Sequence, residues 1–579
     1  MGGIVRPLFV MLLLSRVVLA ADPAPVAGTH GMVVTAQHLA TDVGVEVLRR
    51  GGNAVDAAVA VGYALAVVYP AAGNLGGGGF MTVRMADGTT GFLDFREKAP
   101  GRATAGMYLD GAGNVVPGRS TEGWLAVGVP GSVAGLEAAR VRWGGMSRAE
   151  LMAPAVRLAR EGFLVTEGDL RLLNSELEGL ARDPAAWAIF APGVGRRLGA
   201  GGERLVQADL ARTLETLARE GPDAFYRGPI GDAVVAASRV GGGILEKADL
   251  EGYRVREMAP VTCGYRGFEV ISAPPPSSGG VVLCEMLNVL EGYDLKGMGF
   301  HSAASVQVMV EAMRRAYFDR NNRLGDPEFV QNPAAELVDK GYAARVRGMI
   351  VRGQATPSGS VTEVPHEGSN TTHYAVVDGA GNAVSVTYTL NGWFGAKVVA
   401  GGTGIVMNNE MDDFAAKPGA SNGFGLVQGA ANVVAPGKTP LSSMAPTILV
   451  RDGRLALVLG SPGGSRIPTT VLQVILNMVD YGMDVQAAID APRVHHQWMP
   501  DTVLAERFAL SADTRTVLQW WGYKVEEHPN WGIAEGIRGP GWFVPPPPSP
   551  DGNFAIYLRE SNLAGAHDPR GGAGLAEGY

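Results

Sequence analysis

The chain has 579 residues, 46% of them hydrophobic, and 49 Lys plus Arg against 57 Asp plus Glu for a net charge of -8. That length can bury a large core and, at ordinary domain size, divides into roughly three or four units. The acidic balance without a concentrated basic block argues against a nucleic-acid partner, and the 82 glycines fall in short clusters without a fixed period, which excludes collagen-like and disordered chains.

Arg6, the apolar run at residues 8–14, and Val17-Val18-Leu19-Ala20-Ala21 read as an export leader, with the mature chain starting near Ala21 or Asp22. Arg16 interrupts the apolar run and makes a stable span costly. No later stretch reaches about 18 uninterrupted apolar residues, so a soluble product, periplasmic or secreted, is expected. Residues 32–68 carry Ala-rich helical spacing broken by Gly51-Gly52, and a strand follows at residues 80–84. Between them, Gly76-Gly77-Gly78-Gly79 lacks the Lys-Ser/Thr of a phosphate-binding loop and the spacing of a dinucleotide fingerprint, so it reads as a tight turn beside a sheet.

Residues 131–350 are mostly helical in pattern, interrupted by a strand at 267–273 and a turn at 274–280. Cys263 and Cys284 are too few for a disulfide scaffold and wrongly spaced for zinc. They form either one bridge or two buried thiols. Residues 352–367 are polar and rich in Gly, Ser, Thr and Pro, which suits an exposed loop, and Thr371 lies just beyond. Residues 373–378 and 383–390 alternate with period two around a glycine-bearing turn and predict a β-hairpin. Strands at 448–450 and 455–460 and a helix at 469–481 follow. The prolines at 545–548 predict an extended surface loop without chemistry.

A threonine hydroxyl needs a nearby base to act as a nucleophile. A free N-terminal threonine supplies one itself, because its α-amine, with a pKa of about 7.7 to 8.0, is partly unprotonated near neutral pH. A chain built this way must first break the bond before that residue. A loop ending in Asn370-Thr371 ahead of a strand offers the place for such a cut, although ordinary loops precede hairpins just as often.

Thr371-Thr372-His373-Tyr374-Ala375-Val376-Val377-Asp378, followed by residues 382–391, resembles the start of the small subunit of γ-glutamyltransferases. The resemblance continues through Asn408-Asn409-Glu410-Met411-Asp412-Asp413-Phe414, Pro440-Leu441-Ser442-Ser443-Met444, Gly460-Ser461-Pro462-Gly463-Gly464-Ser465-Arg466, Ala491-Pro492-Arg493 and Asp568-Pro569-Arg570. In the first half, residues 51–58, 76–80 and Arg96-Glu97-Lys98-Ala99-Pro100 look like large-subunit motifs. Nearly all of the chain after the leader is covered. The resemblance implies an α+β fold, the N-terminal-nucleophile hydrolase αββα sandwich of two sheets between helical layers. It implies a leader at 1–21, a large subunit at 22–370 and a small subunit at 371–579, held together as a heterodimer that builds one domain.

It further implies that Thr371 attacks the carbonyl of Asn370, that the ester hydrolyses, and that the new amine activates the same hydroxyl. Gly463 and Gly464 match the backbone N–H donors that stabilise the oxyanion, a role rigid N–H groups suit. Thr389 matches the threonine that bonds the nucleophile. A γ-glutamyl donor carries a carboxylate and an ammonium at its far end. Arg96 matches the carboxylate-binding arginine, whose fork can hold both oxygens. Ser442 and Ser443 match positions that assist it, and Asn391, Glu410 and Asp413 match those that hold the ammonium. No metal or organic cofactor is called for.

Two departures stand out. Phe424, within residues 417–429, occupies a place where some relatives carry a tyrosine on a lid, and phenylalanine has no hydroxyl to latch it. Residues 537–553 look longer than in many relatives. The expected activity is γ-glutamyl transfer from glutathione or a related donor to an amino acid, a peptide or water. An amidase of the same fold acting on another acyl group, or an exported binding protein that never matures, are the alternatives.

Overall fold

The computed structural model describes residues 23–190, 204–359, 371–542 and 562–579. The expected leader, Asn370 and the proline run at 545–548 lie outside these residues.

Two seven-stranded sheets, antiparallel throughout, form the centre. The first runs from Leu575–Gly578 through Gly31–Thr35, Thr372–Asp378, Ala383–Thr389, Gly78–Arg84 and Thr90–Asp94 to Arg256–Met258. The second runs from Val26–Gly28 through Leu563–His567, Glu535–Arg538, Arg454–Gly460, Thr447–Arg451 and Phe268–Ser272 to Val261–Tyr265. Strands from before and after Thr371 interleave in both sheets, so a unit count based on length does not apply.

Period-two alternation sorts the side chains into layers. Ala375 and Val377 meet Met32, Val34, Ile448, Val458 and Ile537 between the sheets. Tyr374, Val376, Val384 and Val386 face the other way, into a core shared with the helices His38–Arg49, Ala54–Val68 and Arg148–Glu161. Leu449, Leu457 and Leu459 of the second sheet pack on the helices Gly279–Leu290, Ala303–Arg323 and Ile467–Val479. The order is helix, sheet, sheet, helix, as the resemblance implies. Ala54–Val68 is apolar all round because every one of its 15 residues is buried, and Asn53 with Asp56 closes a capping box at its start.

The hairpin forms as Thr372–Asp378 and Ala383–Thr389, with the Asp378 carboxylate accepting from Ala380 N and Asn382 N at 3.0 Å in the turn. Other expectations need correcting. The stretch read as helix from residue 32 opens with the strand Gly31–Thr35, whose residues are buried on both faces and so show no alternation to separate strand from helix. The helix read at 469–481 is Ile467–Val479, started by Pro468 in its first turn.

The glycine run is not a turn. None of Gly76 to Gly79 has positive φ, and Gly78 and Gly79 lie in a strand. A Cβ on Gly77 would lie 2.0 Å from Thr389 O, and one on Gly79 would lie 2.4 Å from the Tyr388 side chain. Glycine is required here for close backbone approach, which leaves no turn signature in sequence. Cys263 and Cys284 are joined, tying Val261–Tyr265 to Gly279–Leu290. Among the described residues, no helix is long and apolar enough to cross a membrane.

Candidate active site

The hairpin register carries the first part of the site. Thr372 pairs with Tyr388 and Val377 with Ala383, which sets Thr371 opposite Thr389. Alternation puts both on the face that looks toward the second sheet, in phase with His373, Ala375 and Thr387. Their hydroxyls are 3.3 Å apart, and Asn391 N–H donates to Thr389 Oγ1 at 2.8 Å. Asn391 has φ 73°, a left-handed conformation that asparagine tolerates better than most side chains, and its amide donates to Asn409 O at 3.1 Å. His373 is no base for Thr371. Burial pushes its pKa down to about 3, and its Nδ1 is 2.9 Å from Thr387 Oγ1.

Gly463 and Gly464 have φ of 139° and 55° and precede Ile467–Val479. Neither N–H donates to another described residue, while Gly463 O accepts from Arg466 N at 3.0 Å. A Cβ on Gly464 would meet the Phe424 ring at 2.5 Å, so glycine is needed for space as well as for backbone conformation. Gly464 lines the cleft; Gly463 stands one residue behind it.

Arg96 forms the other end. It is 1% exposed, with Nη1 2.6 Å from Glu410 Oε1 and Nη2 on Asp413 Oδ2. Burial alone would lower its pKa, but Glu410 and Asp413 override that and hold the guanidinium charged. Burial raises Glu410 well above the usual carboxylate range and raises Glu97 to about 7, with Arg96 opposing both shifts. The Glu97 charge also raises Glu410 by like-charge repulsion, so the Arg96 guanidinium is what makes the pair tolerable in the interior. Arg96 is fixed from behind: Tyr253 Oη donates to Arg96 O at 2.8 Å, and Arg96 N to Asp94 Oδ1 at 2.9 Å.

Thr371, Thr389, Asn391, Arg96, Glu410, Asp413, Ser442, Ser443 and Gly464 thus line one cleft, although they come from five separated stretches of chain. Phe424, Leu426, Met444, Ser465 and Ile467 complete its wall. Phe424 is 6% exposed, and its carbonyl accepts from Gln497 Nε2 at 3.2 Å, so packing and a backbone contact hold the segment where a hydroxyl latch was missing. Sequence reasoning passed over Arg320, which bonds Ser443 Oγ at 3.1 Å and Ser278 Oγ at 3.1 Å from within the helix Ala303–Arg323. It also treated Ser277-Ser278 as a plain turn, whereas Ser278 N and Oγ both donate to Ser442 O, at 2.8 and 2.6 Å. No local signal separated Arg320 from the other arginines of the same helix, at 314, 315 and 323.

Comparison with known proteins places these residues in context. A family model described as Gamma-glutamyltranspeptidase matches residues 40–541. A glutathione hydrolase proenzyme of Pseudomonas sp. (strain A14) is 55% identical over 97% of this chain and 96% of its own length. One from Escherichia coli (strain K12) is 47% identical over 96% and 93%. Among solved structures, a cephalosporin acylase from Bacillus halodurans superposes with a TM-score of 0.82 at 28% identity, covering 98% of this chain and 99% of that one.

Proposed function

This chain belongs to the gamma-glutamyltranspeptidase family, and we propose from that premise that it is a γ-glutamyltransferase and glutathione hydrolase whose nucleophile is Thr371, freed by self-cleavage after Asn370. The observation that carries this reading is the placement of Thr371 against Thr389 in the same cleft as the Arg96, Glu410 and Asp413 cluster.

In the precursor, Thr371 Oγ attacks the Asn370 carbonyl carbon, the C–N bond breaks, and the acyl group passes to oxygen as an ester. That shift frees the Thr371 amine, and water then cleaves the ester, releasing the Asn370 carboxyl group and the Thr371 hydroxyl. In the mature enzyme the amine takes the hydroxyl proton as Oγ attacks the donor γ-carbonyl, then returns it to the leaving amine. The Gly463 and Gly464 N–H groups receive the oxyanion. An amino acid, a peptide or water then takes the γ-glutamyl group.

The charge arrangement fits a zwitterionic head group. Arg96, Ser442 and Ser443 take its carboxylate, while Asn391, Glu410 and Asp413 take its ammonium. A zwitterion brings no net charge into the buried cleft, and so avoids the desolvation cost of an unpaired ion. A leader at 1–21, subunits at 22–370 and 371–579, and export to the periplasm or medium complete the reading.

Denaturing electrophoresis with N-terminal sequencing tests it. Wild type yields two fragments, the smaller beginning Thr-Thr-His-Tyr, and Thr371→Ala stays one chain with activity lower by roughly a thousandfold or more. Full-length wild type that turns over γ-glutamyl substrates would rule out the mechanism. Faster hydrolysis of glutaryl than of γ-glutamyl anilide would assign the cleft to another acyl group.

A further inference from the structure

Arg320 is 1% exposed, and the five bonds from its guanidinium all go to neutral acceptors. Nε donates to Ser278 Oγ at 3.1 Å; Nη1 to Asn321 Oδ1 at 2.8 Å and Gln428 Oε1 at 3.3 Å; Nη2 to Leu441 O at 3.4 Å and Ser443 Oγ at 3.1 Å. Five N–H donors are thus matched by five acceptors, yet among the described residues no carboxylate pairs with the charge. A buried cation ordinarily carries a counter-ion, since an unpaired charge in low dielectric is costly. Burial accordingly lowers its pKa to about 10, offset in part by Asp413.

The neighbour at 2.8 Å makes the missing anion conspicuous. Asn321 is 2% exposed, its Oδ1 accepts from Arg320, and its Nδ2 has no hydrogen-bond partner among the described residues. Aspartate there would lose no bond and would supply the counter-ion. The position instead holds an amide with an orphaned donor, which leaves the positive charge of Arg320 available to something else.

Arg320 reaches the cleft through two serines. Its bond fills an acceptor position on Ser443 Oγ, whose own proton has no other described partner. Ser442 Oγ likewise accepts from Met444 N at 3.0 Å, and Ser442 O is held by Ser278, itself bonded to Arg320 Nε. Each hydroxyl thus accepts one bond from behind, Ser443 from Arg320 and Ser442 from Met444 N, which leaves its O–H to turn toward the cleft both line.

We infer that Arg320 is a positioning residue for the donor carboxylate, a second guanidinium that orients the Ser443 hydroxyl directly, holds the Ser442 backbone through Ser278, and supplies positive charge that the bound anion completes. This rests on the reading above that Arg96 and the serines hold a carboxylate. It adds a residue that does not touch the substrate and an explanation for the neutral Asn321.

Two variants, Arg320→Gln and Asn321→Asp, test it on two donors: γ-glutamyl anilide, and 4-aminobutyryl anilide, which lacks only the carboxylate. Each variant is expected to lower kcat/KM for the first roughly tenfold or more, mainly through KM, and to change the second by less than about threefold. Asn321→Asp keeps every native bond and should melt no lower than wild type, so it decides the matter even if Arg320→Gln fails to fold. Equal losses on both donors, or an unchanged preference in Asn321→Asp, would overturn the inference. A wild type with no preference for the carboxylate-bearing donor would instead overturn the reading of the cleft on which it rests.

Discussion

The two ends of the cleft are built in opposite ways. At one end Thr371 and Thr389 lie 18 residues apart on a single hairpin, hydroxyl facing hydroxyl at 3.3 Å. At the other, Arg96 meets Asp413 across 317 positions and Arg320 meets Ser443 across 123, with five buried ionisable groups, Arg96, Glu97, Arg320, Glu410 and Asp413, gathered together. A nucleophile needs fixed distance and direction, which a paired strand gives cheaply. A charged head group needs buried charges of both signs, and each is tolerable only when the others are present.

Substitutions can break this contrast. With the nucleophile left in place, the largest effect is expected at the charged end: Arg96→Gln should lower kcat/KM for γ-glutamyl anilide by on the order of a hundredfold or more, and should also lower Tm, because it strands Glu410 and Asp413. At the glycine turn, Gly464→Ala should cost roughly 10- to 100-fold, and in kcat with KM little changed, since it displaces an oxyanion donor against Phe424. Thr389→Ala should lower kcat about tenfold while Thr389→Ser retains most of it, with Tm nearly constant in both. A Thr389→Ala variant that lost KM instead would place Thr389 in head-group binding and blur the two ends.

The smallest effect sharpens the electrostatics. The Glu97 carboxyl is raised from 4.5 to about 7, so the stability it contributes is fully present below about pH 4.5 and lost as pH rises through 7. Glu97→Gln removes that loss. Its Tm relative to wild type should therefore rise between pH 5 and pH 8, on the order of a degree or two by calorimetry. A difference that stays flat with pH would mean that the carboxyl is ionised throughout.

Legibility in sequence follows the same division. The hairpin was readable because alternation and a glycine-bearing turn are local signals, and its phase already set residues 371 and 389 on one face. Arg96, Glu410, Asp413 and the serines were readable only as matches to motifs, since nothing local distinguishes a buried arginine from a solvated one. Arg320 went unseen because it lies in a helix with further arginines at 314, 315 and 323, and only packing decides which is buried. Gly76 to Gly79 was misread because close approach to Tyr388 and Thr389 is a contact across about 310 positions.

By itself, then, the amino-acid order determined the alternation of the central strands, the capped apolar helix at 54–68 and the threonine at the head of a strand, because hydrophobic period and capping act over a few residues. Tertiary structure alone decided that Cys263 and Cys284 are bonded, that three carboxyls surround one guanidinium, and that a second guanidinium stands behind the serines without an anion of its own. Burial and electrostatic pairing depend on distance in space, and the chain brings those distances into being only when its two sheets close on each other.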